Sequence, residues 1–165
     1  MLENNLLPRE AAQEKLHRMA LQIAENIGED NTTLILIGIE KSGYNIATKL
    51  KSYIGQYCSS PIELISLSMD KRKPAEIKLS NNIDFNDKNI ILIDDVINSG
   101  KTFLYALKPL LDFYPRRIQT LAMIERMHKL YPIKPDYVGL SVATTLEDNI
   151  KVIIEDGEIT GATFG

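Results

Sequence analysis

The chain has 165 residues, a formal net charge of −3 and one cysteine, Cys58. A single cysteine excludes an internal disulfide framework, and the acidic balance disfavours a general affinity for nucleic acid or an anionic membrane surface. No apolar run approaches the length of a membrane span, and the first residues do not resemble a secretory signal. We therefore predict one cytoplasmic domain over residues 1–165, with no membrane partner and enough chain to bury a substantial core.

Hydrophobic periodicity predicts alternating helices and strands in the first half of the chain. The predicted elements are a helix over residues 8–27, a buried strand over 33–39, a helix over 43–53 and a strand over 62–67. Residues 68–88 are rich in charge and Asn and lack strong periodicity. Loops of this length are usually functional lids or disordered segments, so we expect a long loop here.

The second half of the chain continues the same alternation. It predicts a strand over residues 90–93, a helix over 102–114, and strands over 118–124, 137–142 and 150–154. Pro109 should kink or shorten the helix. Because continuous apolar runs are typical of parallel strands covered on both faces, we predict an α/β fold with a doubly wound, mostly parallel sheet. The N-terminal helix and the late strands remain to form a small hood over the carboxyl edge of that sheet.

The most informative segment joins a buried strand to a polar loop. Asp94 and Asp95 follow four apolar residues, at the strand end where open α/β sheets bind ligands. A small, glycine-centred loop comes next and can turn its backbone N–H groups toward an anion; it consists of Asn98, Ser99, Gly100, Lys101 and Thr102. The acid pair and the anion loop together fit one ligand with both hydroxyls and a phosphate, such as a ribose 5-phosphate.

Simpler interpretations of this segment exist. Paired acids at a strand end can bind Mg²⁺, as in receiver domains, and Ser-Gly-Lys-Thr can be an ordinary helix start. The segment is not a nucleotide-binding P-loop, because Asp95 stands where that motif needs its first glycine. A receiver-like module gives the glycine-centred loop no role, so the ligand-binding interpretation is favoured.

A second turn of similar composition directly follows the first strand. Lys41, Ser42 and Gly43 supply a cation, a hydroxyl and a glycine at a strand-to-helix junction. Such a turn can hold a phosphate group through the N–H groups of the helix start. Two anion turns at one sheet edge suggest a substrate with phosphate at both ends.

Two further features allow both a functional and a structural interpretation. The cations at 71–73 either form a solvated face or close over a leaving pyrophosphate. His128, which follows a predicted strand with Arg126, is either a general base or a polar loop residue bonded to the backbone.

The sequence of residues 90–102, IILIDDVINSGKT, closely resembles the phosphoribosyl-diphosphate binding motif of type I phosphoribosyltransferases. Residues 13–152 are also similar to one branch of that family, the PyrR pyrimidine-operon attenuators that double as uracil phosphoribosyltransferases. The stretches that carry this likeness are 15–20 (KLHRMA), 36–43 (LIGIEKSG) and 124–139 (IERMHKLYPIKPDYVG).

The resemblance implies roles on the donor side of the site. Asp94 and Asp95 would accept hydrogen bonds from the ribose 2′ and 3′ hydroxyls, and the loop 98–102 would hold the 5′-phosphate. The turn 41–43 would hold the pyrophosphate. Mg²⁺ would be bound mainly by the donor's own diphosphate and hydroxyls, assisted by Asp94 or Asp95.

The resemblance also implies a lid and a base site. The loop from Asp70 would be the lid, and Arg72 would help to neutralise the leaving group. Tyr137 and Val138 would flank the base, with Tyr137 stacking on it, and Arg126 would contribute to substrate binding. A dimer or larger homo-oligomer is expected, since the family tends to pair subunits.

The chain departs from the PyrR pattern at three points. Lys41-Ser42-Gly43 replaces a Thr-Arg-Gly turn, the lid lacks a Tyr-Arg-Asp-Asp run, and Met127 replaces a glycine. These departures concern uracil specificity and RNA-dependent regulation more than the donor site.

The sequence leaves three functions open. The first is transfer of phosphoribosyl to uracil. The second is a hypoxanthine-guanine enzyme, which is disfavoured because such enzymes place a lysine where Glu125 stands, and an ionised carboxylate cannot donate a hydrogen bond to a 6-oxo group. The third is a nucleotide-sensing RNA-binding regulator, for which Lys108, Arg116 and Arg117 are candidate phosphate contacts.

Overall fold

The computed structural model describes residues 5–70, 72–143 and 149–164. The helices in these ranges are α1 (Arg9–Ile27), α2 (Glu40–Ile54), α3 (Lys101–Ala106) and a 3₁₀ helix (Lys108–Leu110). The strands are β1 (Leu34–Ile39), β2 (Ile62–Asp70), β3 (Lys73–Leu79), β4 (Asn89–Ile97), β5 (Arg117–Arg126), β6 (Tyr137–Val142), β7 (Ile150–Glu155) and β8 (Glu158–Phe164).

Six strands form one sheet in the order β3-β2-β1-β4-β5-β6, in which β3 pairs antiparallel with β2 and the other pairs are parallel. Counted along the chain, the parallel strands have the order 2-1-3-4-5. Doubly wound sheets of this order bind ligands where the strand order reverses. The reversal lies between β1 and β4, so the carboxyl ends of these two strands mark the expected site. The predicted fold class is confirmed.

The central strands are buried because helices cover both faces of the sheet. All six residues of β1 and the first six of β4 are buried. On one face, Leu36, Ile91 and Ile93 pack with buried residues of α1 and α2. On the other, Ile37 and Leu92 pack with Phe103 of α3. Each fully buried Leu or Ile contributes about 1.5–3 kcal/mol, so this burial dominates the stability of the sheet.

The hood is a two-stranded antiparallel sheet of β7 and β8. The predicted late strand becomes its first strand, while β8 was not predicted. Helix α1 buries Leu16, Met19 and Ile23 and packs against α2, β6 and β8. It therefore both covers the central sheet and supports the hood through β8. The segment before α1 also ties to the hood, since the Leu6 N–H donates to the Ala162 carbonyl at 2.8 Å.

The prediction of a continuous loop over 68–88 is wrong. β2 runs on to Asp70, and β3 returns antiparallel beside it, with Met69 opposite Ile77. β3 has the sequence KPAEIKL, and its charged residues interrupt the apolar pattern by which a strand is predicted. Charges of this kind are typical of edge strands, where they discourage pairing with another chain. Lys71 lies outside the described residues.

The predicted helix over 102–114 is shorter in the structure. α3 ends at Ala106, and Pro109 lies in the 3₁₀ helix that follows. Proline has no N–H to donate and its ring clashes with the preceding turn, which explains the change to a tighter helix. Among the helices within the described ranges, none is both long and apolar enough to cross a membrane.

Candidate active site

A cavity of about 550 Å³ lies at the carboxyl edge of the sheet, at the reversal point between β1 and β4. Its walls come from the start of α2, the end of β4, the loop 98–102 and residues 149–152 of the hood. The volume is in the range of pockets that hold small organic ligands. The acid pair and the anion loop predicted from the sequence thus line one cavity.

Asp94 and Asp95 form the floor of this cavity at the end of β4. Oδ1 of Asp94 accepts a hydrogen bond from the Asp95 N–H at 2.8 Å, and Oδ1 of Asp95 accepts one from the Val96 N–H at 2.7 Å. Each carboxylate is therefore oriented by the adjacent backbone. An ionised carboxylate has about four acceptor positions, so both can also accept hydrogen bonds from ligand hydroxyls.

The loop 98–102 forms the wall next to the acid pair. Gly100 has a φ of +89°, a left-handed conformation that glycine adopts without strain. The Ser99 hydroxyl oxygen accepts a hydrogen bond from the Lys101 N–H at 3.2 Å, which closes a tight turn. Because α3 has only six residues, the groups that this loop offers to an anion are its N–H groups and hydroxyls more than a helix dipole.

The turn after β1 lies on the other side of the acid pair. Ser42 and Glu40 line the cavity, whereas Lys41 is exposed. Gly43 lets α2 approach β4 closely, since a Cβ at this position would lie well under 3.0 Å from the Ile93 carbonyl oxygen. This approach places the turn beside Asp94.

Glu40 was not predicted as a cavity residue. It has a φ of +57°, which is uncommon for a residue with a side chain, and its carboxylate accepts a hydrogen bond from the Met69 N–H at 3.0 Å. The unusual backbone turns the chain from β1 into α2 without a linker. The hydrogen bond joins that turn to β2, whose Met69 also lines the cavity.

The hood closes the cavity opposite the acid pair. Residues 149–152 line it, and the Ile150 N–H donates a hydrogen bond to Oδ1 of Asn98 at 3.3 Å. This contact anchors β7 to the anion loop. The sequence predicted a late strand over this sheet edge, but it did not predict that this strand lines the cavity.

Comparison with known proteins identifies the family. A family model described as the phosphoribosyl transferase domain matches residues 3–158. The chain belongs to this family. A bifunctional protein PyrR of Actinobacillus pleuropneumoniae is 33% identical over 162 residues, covering 92% of this chain and 89% of the relative. A bifunctional protein PyrR of Bacillus cereus is 35% identical over 154 residues, covering 86% and 84%.

Solved phosphoribosyltransferases share the fold. A hypoxanthine-guanine phosphoribosyltransferase from Bacillus anthracis superposes with a TM-score of 0.77 at 18% identity and covers 99% of both chains. A hypoxanthine phosphoribosyltransferase of Trypanosoma cruzi gives a TM-score of 0.79 at 15% identity and covers 96% of this chain and 95% of its own. The resemblance to type I phosphoribosyltransferases and to PyrR is thereby confirmed.

The structure corrects the predicted base site. Tyr137 begins β6, so it lies toward the amino edge of the sheet, and only 4% of it is exposed. Its hydroxyl donates to Oε1 of Gln119 at 2.9 Å and accepts from the Asn26 amide at 2.7 Å. Burial raises the pKa of this hydroxyl. Tyr137 is a core residue of the sheet and cannot stack on a ligand in the cavity.

Val138 and Arg126 are not among the described residues that line the cavity. The Val138 carbonyl accepts a hydrogen bond from the Arg18 guanidinium at 3.1 Å, on the side of β6 that faces α1. Arg126 is 5% exposed at the end of β5. A base in this cavity would instead meet residues 149–152.

The predicted residues Lys101, Arg72 and His128 are not among the described residues that line the cavity. The Lys101 ammonium lies 5.9 Å from the centre of the Tyr105 ring, so this side chain points along α3. Arg72 is exposed at the tip of the β2–β3 hairpin, where its N–H donates to Oδ1 of Asp70 at 2.8 Å. His128 is exposed in the loop after β5.

The hood is fastened to the helices by Glu158. Its carboxylate accepts a hydrogen bond from Lys49 of α2 at 3.0 Å and lies 3.6 Å from Nε of Arg9 in α1. The hydrogen bond from Lys49 is the main reason that the pKa of Glu158 is lowered from its ordinary value of 4.5. A lowered pKa in the folded state means that the ionised form stabilises the fold above the ordinary pKa, and that this contribution is lost as the pH falls through the lowered value.

We therefore expect Glu158→Gln to flatten the acid side of the stability profile. The variant should unfold more easily than the wild type at pH 7, and the difference should disappear as the pH falls through the lowered pKa of Glu158. Urea unfolding at several pH values measures this. The same substitution at Glu155, exposed on the same hairpin, is the control and should leave the profile unchanged. A pH-independent difference for Glu158→Gln would contradict the assignment.

Proposed function

We propose that this chain transfers a phosphoribosyl group from 5-phosphoribosyl 1-diphosphate to a nucleobase, with uracil as the substrate. The bond from ribose C1 to the diphosphate oxygen breaks, the bond from C1 to the base nitrogen forms, and the proton of that nitrogen is released. The products are UMP and pyrophosphate. The main support is the single cavity in which the acid pair of β4 and the anion loop 98–102 lie side by side.

The two parts fit the two ends of a ribose 5-phosphate. Asp94 and Asp95 would accept hydrogen bonds from the 2′ and 3′ hydroxyls, and their charge would stabilise the positive charge that develops on the ring. Loop N–H groups and the hydroxyls of Ser99 and Thr102 would bind the 5′-phosphate. The base itself attacks C1, so the reaction needs no nucleophilic side chain.

The leaving diphosphate requires positive charge, and the described residues of the cavity wall include few cationic side chains. Among the described cavity residues the ionisable groups are Glu40, Asp94, Asp95 and Lys151. Mg²⁺ prefers oxygen ligands and commonly binds through one or two carboxylates plus substrate phosphates, so Asp94 or Asp95 could assist it. When bound, Mg²⁺ would neutralise charge on the departing diphosphate.

The described residues contain no group of three Asp, Glu, His or Cys side chains placed to hold a metal. The substrate would therefore provide most of the ligands. Ser42 and the N–H groups of the turn 41–43 would bind the diphosphate directly. The β2–β3 hairpin, with Arg72 at its tip, would serve as the lid that excludes water.

The base would lie between the acid pair and β7 of the hood. Glu125 lies at the end of β5, accepts a hydrogen bond from the Ser141 hydroxyl at 2.7 Å and pairs with Lys129. An ionised carboxylate here offers no donor for the 6-oxo group of a purine. This favours uracil over hypoxanthine or guanine, and it agrees with the likeness to PyrR proteins.

Incubation with Mg²⁺, the diphosphate donor and one base at a time tests the proposal. We expect UMP and pyrophosphate with uracil. Turnover of hypoxanthine or guanine alone would reject the pyrimidine assignment, and no turnover with any base would reject the enzyme. A protein without turnover that binds UMP and RNA, with RNA affinity falling steeply as salt rises, would instead be a nucleotide-sensing regulator.

A further inference from the structure

One ion pair, between Glu125 and Lys129, is more buried than the others, and the proposed base selectivity uses only the carboxylate of Glu125. Lys129 Nζ lies 3.0 Å from Oε2 of Glu125, and the two side chains are only 12% and 15% exposed. In the other ion pairs of the described residues, each side chain is 27% to 54% exposed. Burying two charges is costly, so a buried pair points to a role in fixing one arrangement of the chain.

The pair fixes the start of the loop that follows β5. Glu125 is held on the sheet, because its Oε1 accepts a hydrogen bond from the Ser141 hydroxyl of β6 at 2.7 Å. The loop is tied to β6 a second time where the Met127 N–H donates to the Val142 carbonyl at 3.0 Å. The ion pair adds a third contact, which holds the loop at Lys129, four residues after Glu125.

The next two residues bind the anion loop. The N–H groups of Leu130 and Tyr131 both donate to the Ser99 carbonyl, at 3.1 and 3.0 Å. Two donors that converge on one oxygen fix the orientation of the peptide unit between Ser99 and Gly100. In a trans peptide the N–H points opposite to the carbonyl of the preceding residue. The Gly100 N–H is therefore directed away from residues 130–131, and Gly100 itself lines the cavity.

The fit around Gly100 leaves little freedom for another arrangement. A Cβ on this residue would lie 3.3 Å from the Tyr131 carbonyl oxygen and 3.4 Å from Cβ of Ile133. A shift of the loop after β5 would therefore move the anion loop as well.

We infer that the Glu125–Lys129 ion pair positions the phosphate-binding loop, by holding Leu130 and Tyr131 against Ser99 so that the Gly100 N–H faces the 5′-phosphate. The inference rests on the proposed function, because it assigns the phosphate to this loop. Lys129 is a positioning residue and does not touch the substrate. Its loss should weaken phosphate binding without altering the chemical step or the base site.

Lys129→Met tests this with ribose 5-phosphate as the probe. Calorimetry should show about tenfold weaker binding, the effect of losing the charge-assisted hydrogen bond from the Gly100 N–H to the phosphate. The KM for the diphosphate donor should rise by a similar factor, whereas kcat and the KM for uracil should change by less than about twofold. Lys129→Arg should restore binding, because it keeps the charge. Lys134→Met, an exposed lysine of the same loop, is the matched control and should behave as the wild type.

Amide hydrogen exchange supplies a second readout. Exchange at Leu130 and Tyr131 should become faster in Lys129→Met and remain slow in Lys134→Met. If Lys129→Met does not fold, Glu125→Gln replaces it, since glutamine still accepts from Ser141 and Lys129 can extend toward solvent. Its ribose 5-phosphate binding should weaken in the same way.

The outcomes separate the two claims. A wild-type protein that binds no ribose 5-phosphate overturns the proposed function, and the inference falls with it. A wild type that binds the probe, together with a folded Lys129→Met or Glu125→Gln that binds it equally well, overturns the positioning role alone. An equal loss of donor affinity, base affinity and kcat would also overturn it, because that pattern indicates general damage to the site.

Discussion

Asp95→Asn should lower kcat/KM by about 30- to 1,000-fold while the protein remains folded, because the substitution removes about 2–4 kcal/mol of transition-state stabilisation. The amide keeps the size of the side chain, but its NH₂ group cannot accept a hydrogen bond from a ribose hydroxyl. It also removes a negative charge next to the ring at which positive charge develops. Initial rates at several donor concentrations measure the effect.

The fold should survive because the structural hydrogen bond of Asp95 is preserved. Oδ1 of an asparagine can still accept from the Val96 N–H, which lies 2.7 Å from the carboxylate. Thermal unfolding should therefore change little. Asp112→Asn, at an exposed carboxylate beyond the 3₁₀ helix, is the control and should leave both the rate and the stability unchanged. Turnover of Asp95→Asn at the wild-type rate would remove this residue from the site.

The fold was predictable where burial and local pattern agree. β1 and β4 are apolar on both faces because helices cover both sides of the sheet, so their sequences read as continuous hydrophobic runs. β3 was missed because it is an edge strand whose charged residues interrupt its apolar pattern, although Ile77 and Leu79 pack against the core cluster of that face. β8 was missed because its apolar residues do not alternate regularly, although Ile159 and Ala162 are buried.

The cavity was predictable where its lining residues are adjacent in sequence, and not where they come from the hood. The acid pair and the anion loop are adjacent in sequence, so one short motif contains their geometry. The wall formed by residues 149–152 depends on how the hood folds back over the sheet, which local sequence pattern does not reveal. Tyr137 appeared to be a stacking residue from its motif, but its position at the start of β6 and its bonds to Asn26 and Gln119 place it in the core. Glu40 was missed because a positive φ at a glutamate has no sequence signal.

Gly43→Ala should destabilise the protein by about 1–3 kcal/mol, the usual cost of overpacking a close contact. The sign of the change in the free energy of unfolding is the informative result. In an ordinary helix interior the same change would stabilise by about 0.5–1 kcal/mol, because alanine has the higher helix propensity. Here the added methyl group would overlap the Ile93 carbonyl oxygen and approach Cα of Asp94 to 3.4 Å. Urea unfolding of the variant measures the change.

Gly55→Ala is the matched control, because Gly55 ends the same helix with ordinary right-handed dihedral angles and a Cβ there would have its nearest neighbour at 3.2 Å. We expect it to shift stability by less than about 0.5 kcal/mol. Gly43→Ala should also raise the KM for the diphosphate donor, because the contact that packs α2 onto β4 also sets Ser42 beside Asp94. A variant that is destabilised but binds the donor normally would show that the turn 41–43 does not contribute to donor binding. A variant that is stabilised would mean that α2 does not approach β4 as closely as this packing requires, and the position of the turn 41–43 would have to be revised.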